Sequence, residues 1–107
     1  MLHKHLVNGQ DDDTNRLLRA LGDTTRRRII DELSVRDRQS LFEIYTRVVS
    51  NHAISQSRQA FSRHLAVLED VGIVTIDWQG TTKLHSLDVT PILRLKGAWL
   101  SKFGGSQ

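Results

Sequence analysis

Residues 57–71 read Ser57-Arg-Gln-Ala-Phe-Ser-Arg-His64-Leu-Ala-Val-Leu-Glu-Asp-Val71. Wound at helical pitch, Ala60, Phe61, His64, Leu65, Val67, Leu68 and Val71 fall on one side. Arg58, Gln59, Ser62, Arg63, Ala66, Glu69 and Asp70 fall on the other. The first two turns of that polar side carry two Arg, a Gln and a Ser, followed only by the small Ala66. Arg reads guanine edges, Gln reads adenine edges, and Ser reaches bases or phosphates. A solvated face would more often mix Glu with Lys. The stretch predicts a helix that enters the major groove of DNA, with Ser55 or Ser57 as its cap and Gly72 as its stop.

Outward from this helix, Ser40-Leu-Phe-Glu43 is a capping box ahead of an apolar run, Leu41 to Val49. The connection, residues 50–55, holds Asn51 as a candidate for a left-handed position. Two helices joined so closely form a helix-turn-helix. Beyond Gly72 the period becomes two. Val74, Ile76 and Trp78 alternate with Thr75 and Asp77; after Gln79-Gly80-Thr81, Lys83, His85 and Leu87 alternate with Leu84 and Ser86. This is a β-hairpin, in the place of a wing. Upstream, Leu17, Leu18 and Leu21 mark a short helix broken by Gly22, and Asp23 or Thr24 caps another holding Ile29, Ile30 and Leu33. Downstream, Thr90-Pro91 opens a last helix running to Phe103, with Thr90 as cap.

The expected fold is therefore mainly α with a β-hairpin, a winged helix-turn-helix in the order α-α-α-α-β-β-α. Residues 1–13 read as a polar arm, 14–103 as the DNA-binding and dimerisation domain, and 104–107 as a tail.

The 107 residues suffice for one domain with a modest core. A net charge of +3 permits a nucleic-acid partner without demanding one. Cysteine is absent, which removes disulfides and thiolate metal sites. No apolar run approaches a membrane span, and the first residues are too short and polar for a signal peptide, so a cytoplasmic protein with no membrane partner is expected. There is no Gly-rich phosphate loop and no acid dyad in a recognisable setting, so an enzyme is not expected.

The chain resembles the ArsR/SmtB family of winged helix-turn-helix regulators over roughly residues 15–103. The residues that carry the resemblance are Ala20-Leu-Gly-Asp-Thr-Thr-Arg26-Arg-Arg-Ile-Ile30, Ser55-Gln-Ser-Arg-Gln-Ala-Phe-Ser-Arg-His-Leu65, Leu68-Glu-Asp-Val-Gly-Ile-Val74 and Lys83-Leu-His-Ser-Leu87. The resemblance implies a homodimer paired through the first and last helices. It also implies two recognition helices on a pseudo-palindromic operator in double-stranded DNA, and control by an effector or partner protein. Leu17 and Leu21 would then meet Ile92, Leu95, Trp99 and Phe103 across the interface. The chain departs from the pattern in three places. It lacks the Cys pair and the Asp/His ligands along the last helix used by metal sensors; Ala53 stands where Gly is frequent; and the wing tip lacks Arg.

The expected DNA contacts are Ser57, Arg58, Gln59, Ser62 and Arg63 on the helix, with Thr81, Thr82 and Lys83 on the wing. Arg26, Arg27 and Arg28 read as a solvated run, one of which could touch phosphate. His64 and His85 sit on apolar faces and read as core residues with hydrogen-bonded rings. No cofactor is evident. Met1-Leu2-His3, with His5, offers the one plausible Ni(II) or Cu(II) site, using the free amine, two amides and imidazole. Two alternatives stay open: a winged-helix module that binds protein and no DNA, and a metal-responsive switch built on the arm.

Overall fold

The computed structural model describes residues 2–104, with side chains from residue 9 onward. The helices are α1 (Leu2–Leu21), α2 (Thr24–Val35), α3 (Leu41–His52), α4 (Arg58–Asp70) and α5 (Thr90–Ala98). Strands β1 (Val74–Gln79) and β2 (Thr82–Leu87) lie between α4 and α5, and a 3₁₀ turn, Leu100–Phe103, follows α5. Five helices and a hairpin in this order are the winged helix-turn-helix that the sequence predicts.

Local chemistry explains most boundaries. The Asp23 carboxylate accepts the Arg26 N–H at 3.0 Å and starts α2. At α3 the capping box closes in both directions: Ser40 Oγ accepts the Glu43 N–H at 3.2 Å, and Glu43 Oε1 accepts the Ser40 N–H at 2.9 Å. Ser57, rather than Ser55, caps α4 by accepting the Ala60 N–H at 3.1 Å. Gly72, at φ +82, ends α4 in a Schellman turn: its N–H donates to the Glu69 carbonyl, and the Ile73 N–H to the Leu68 carbonyl, both at 3.0 Å. Ile73 and Leu68 are both fully buried, so the turn carries its usual apolar contact.

Four local expectations are corrected. Helix α1 begins at Leu2 and runs through Asp11, Asp12 and Asp13 to Leu21, so the stretch read as a polar arm joins the helix expected to be short. Asp13 faces Arg16 one turn on, at 4.0 Å. The left-handed residue between α3 and α4 is Ala53 (φ 53, ψ 40), while Asn51 stays helical. Thr90 does not cap α5; the preceding position is Val89, and the Thr90 N–H donates to the Asp88 carboxylate at 2.9 Å. The last helix is also shorter than expected, breaking at Trp99 just after Gly97.

One core joins all the layers. Ile29 and Leu33 of α2, Ile44 and Val48 of α3, Phe61, Leu65 and Leu68 of α4, and Ile73 with Val74 form its centre. Leu17 of α1 and Leu95 of α5 close it. The hairpin is antiparallel, with Val74 opposite Leu87, Ile76 opposite His85 and Trp78 opposite Lys83.

The loop between α2 and α3 clamps the base of that hairpin. Gln39 and His85 exchange backbone hydrogen bonds at 3.0 and 2.7 Å. Asp37 accepts the Leu87 N–H at 2.8 Å, and Arg38 forms an ion pair with Asp77 of β1. Behind the clamp the buried Gln39 amide donates to Glu32 at 2.9 Å and accepts from Arg47 at 2.5 Å, so its polar atoms are satisfied.

Candidate nucleic-acid interface

The buried face of α4 fixes its polar face outward. Because Phe61, Leu65 and Leu68 are held in the core, Ser57, Arg58, Gln59, Ser62, Arg63 and Ala66 all lie exposed on the opposite side. Helix α3 holds this face in place. The Tyr45 hydroxyl donates to the Gln56 carbonyl in the intervening turn at 2.8 Å, and the Gln56 amide donates to Thr25 Oγ1 of α2 at 2.7 Å.

The wing lies beside this face. An open cleft of about 440 Å³ has Ser62, Ala66 and Glu69 on its α4 side and Thr81, Thr82 and Lys83 on its wing side. The structure thus brings Ser62 together with all three wing residues. Arg58, Gln59 and Arg63 are exposed but stand outside that lining. Ser57 spends its hydroxyl oxygen on the helix cap. Lys83 Nζ lies 3.8 Å from Glu69 Oε1, so this cation already has an anionic neighbour on α4. The Arg58 guanidinium lies 5.7 Å from the centre of the Phe42 ring, a cation–π contact. Phe42 is 61% exposed at the edge of the same face, a neighbour of Arg58 that helical periodicity does not reveal.

Two arginines of the basic run of α2 turn back to the end of α1. Arg26 Nε donates to the Ala20 carbonyl at 2.6 Å, and Arg27 Nη1 to the Leu21 carbonyl at 2.6 Å. Both arginines thereby satisfy the C-terminal carbonyls of α1. Arg28 pairs with Asp31 at 3.1 Å.

Among the described residues, His64 and His85 are the histidines nearest the core. Nδ1 of the buried His85 lies 2.9 Å from the Gln39 carbonyl, which only accepts, so Nδ1 carries the proton. Burial pushes the His85 ring below its ordinary pKa, against the opposing pull of that hydrogen bond. Half-buried His64 accepts from Arg26 Nη1 at 3.0 Å, and its pKa is also lowered, first by burial. Among the described residues no group of three or more His, Asp or Glu could hold a metal ion. The side chains of His3 and His5 lie outside the described residues.

The residues expected to pair two copies divide into three groups. Leu17 and Leu95 are buried within the protomer's own core, and Leu21 and Ile92 are half-buried against it. Trp99 and Phe103 remain exposed, stacked edge-on with ring centroids 5.4 Å apart. Leu18, Leu93 and Leu100 join them as exposed apolar residues.

No protein-family model matches the chain. The uncharacterized HTH-type transcriptional regulator YuzN of Bacillus subtilis (strain 168) is 38% identical over 94 residues, which is 88% of this chain and 99% of that protein. The solved ArsR-like transcriptional regulator from Rhodococcus sp. RHA1 superposes with a TM-score of 0.72 at 26% identity, covering 92% of this chain and 85% of that one. A homodimeric winged helix-turn-helix DNA-binding domain from Mycobacterium bovis, a possible ArsR-family regulator, shares the fold at a TM-score of 0.66 and 20% identity, over 92% and 88% of the two chains. With a relative this similar along nearly the whole chain, and with the capping box, helix pair and wing in place, the chain belongs to the ArsR-like HTH-type transcriptional regulators.

Proposed function

We propose that the protein is a homodimeric, sequence-specific regulator that binds double-stranded DNA in the cytoplasm. The observation that carries this reading is the outward stripe of Arg58, Gln59, Ser62 and Arg63 beside the wing cleft. In this role α4 enters the major groove, where Arg58, Gln59 and Arg63 meet base edges and Ser62 meets a base or phosphate. Thr81, Thr82 and Lys83 follow the neighbouring backbone. The dimer forms through Leu18, Leu93, Trp99, Leu100 and Phe103, which α1, α5 and the 3₁₀ turn leave exposed. Two such readers would stand about 34–36 Å apart, one turn of DNA. No described helix is long and apolar enough to cross a membrane.

The test is a fluorescence-anisotropy titration of the full chain against the duplex upstream of its own gene and against a duplex it selects from a random library. Tight binding to the selected duplex is expected, with affinity falling steeply as salt rises. Equal, weak binding to every duplex overturns sequence-specific reading.

A further inference from the structure

Arg26 stands where three helices meet. It is the third residue of α2, and its backbone N–H donates to the capping carboxylate of Asp23. Its side chain turns back to α1, with Nε on the Ala20 carbonyl at 2.6 Å and Nη2 on the Arg19 carbonyl at 2.9 Å. The remaining terminal nitrogen, Nη1, reaches His64 Nδ1 of α4 at 3.0 Å. One planar guanidinium therefore ties the C-terminal end of α1 to the helix that presents Ser62 and Arg63.

A guanidinium only donates, so this bond requires an unprotonated His64 Nδ1 and a neutral ring. The charged groups around the ring come from each adjoining element. Asp23 precedes α2, with Oδ2 3.8 Å from Nδ1; Arg26 is on α2; Arg63 is its neighbour on α4. A proton on Nδ1 would set two donors against each other. The charged ring would turn to Asp23 Oδ2, the oxygen that now caps α2. His64 thus has two mutually exclusive partners, Arg26 when neutral and Asp23 when charged.

We propose that Arg26 and His64 are positioning residues for DNA reading, locking α4 to the end of α1 only while His64 is neutral. This rests on the DNA-binding reading above. Neither side chain needs to touch DNA. With the lock open, Arg16 of α1 still holds Asp70 at the far end of α4 at 2.5 Å, but the part of α4 that carries Ser62 and Arg63 gains freedom relative to α1, one of the helices that sets the dimer. DNA affinity then falls on acidification, opposite to the gain that protonating an unconstrained histidine near phosphates would produce.

His64→Gln keeps an acceptor and cannot be protonated. The full chain and this variant are titrated with the duplex selected from a random library, at matched salt. Wild-type affinity is expected to fall roughly tenfold between about pH 8 and pH 5.5. The variant, whatever its affinity at neutral pH, should hold a ratio of about one over the same range. An equal acid loss in both proteins overturns the proposal. In parallel, NMR follows the Arg26 Nε–H and the His64 ring in the free protein. A shared titration midpoint supports the lock, and an Arg26 signal indifferent to His64 overturns it. If neither protein binds any selected duplex at neutral pH, the DNA-binding reading fails, and the NMR titration still decides the lock.

Discussion

The Tyr45 ring of α3 meets the Phe61 ring of α4 edge-on, with centroids 5.2 Å apart and planes at 85°. This contact sits inside the helix-turn-helix, and the Tyr45 hydroxyl continues it by donating to Gln56 in the turn. Phe61 is fully buried, so Phe61→Ala should cost about 3–5 kcal/mol, a large part of a small domain's stability. Tyr45→Phe keeps the ring and loses one hydrogen bond, for about 1 kcal/mol. Urea denaturation of both variants measures the difference. Similar losses from the two would show that the ring packing is not what joins these helices.

Ala53 occupies the left-handed region and is exposed, so its methyl group contributes strain without burial. Replacing it with Gly removes a penalty of about 1–2 kcal/mol and adds roughly 0.5–1 kcal/mol of backbone entropy cost. Ala53→Gly should therefore stabilise the protein by about 0.5–1 kcal/mol, read as a raised denaturation midpoint. A lower midpoint would mean that stiffness in this turn outweighs the strain.

Base contacts and phosphate contacts should separate on titration. Arg63→Ala is expected to cost about 1–3 kcal/mol on the selected duplex and little on random DNA. Lys83→Ala should weaken binding to all sequences and lower the salt slope by roughly one. Glu69→Gln frees Lys83 from its neighbour at 3.8 Å and should tighten binding to every duplex. Unchanged affinity in an Arg58/Gln59/Arg63 triple alanine variant would remove α4 as the reader.

The exposed pair Trp99 and Phe103 should anchor the second copy. Trp99→Ala is expected to weaken self-association by about 2 kcal/mol, roughly 30-fold, with DNA affinity falling alongside. Sedimentation velocity checks it. A wild-type chain that stays monomeric at high concentration rules the interface out.

Stability should fall as pH drops below the ordinary histidine range. Burial lowers the pKa of both His85 and His64, so the unfolded chain takes up their protons first. The contribution is complete above about pH 6.5 and declines as pH falls toward the folded-state values. A urea midpoint that drops between about pH 7.5 and 5.5, and drops less in His85→Gln, is expected. An equal drop in that variant would assign the effect elsewhere.

What the sequence displays is local or periodic. The Ser40 and Glu43 box, the Gly72 and Ile73 turn and the α4 stripe each involve residues a few positions apart, so their geometry is written in spacing. The role of Arg26 is not: its partners are backbone carbonyls of α1 and a histidine 38 residues away. A run of three arginines looks alike whether it faces phosphate or the end of a helix. Periodicity also put Leu17 and Leu95 on apolar stripes without saying whose core receives them; the protomer's own does. Within the candidate site, the pairing of Lys83 with Glu69 and of Arg58 with Phe42 depends on how the wing and α3 meet α4.

The clamp of Asp37, Arg38 and Gln39 on the hairpin makes the wing a cantilever, fixed at its root and free at Gly80. Bending at the root must break several hydrogen bonds at once, while the tip can move against only the last rung, Gln79 with Thr82. The wing root is then held to the loop that joins α2 and α3. A duplex of unsuitable groove width has to deform to fit, and its stiffness enters the choice of sequence even at positions no side chain reaches.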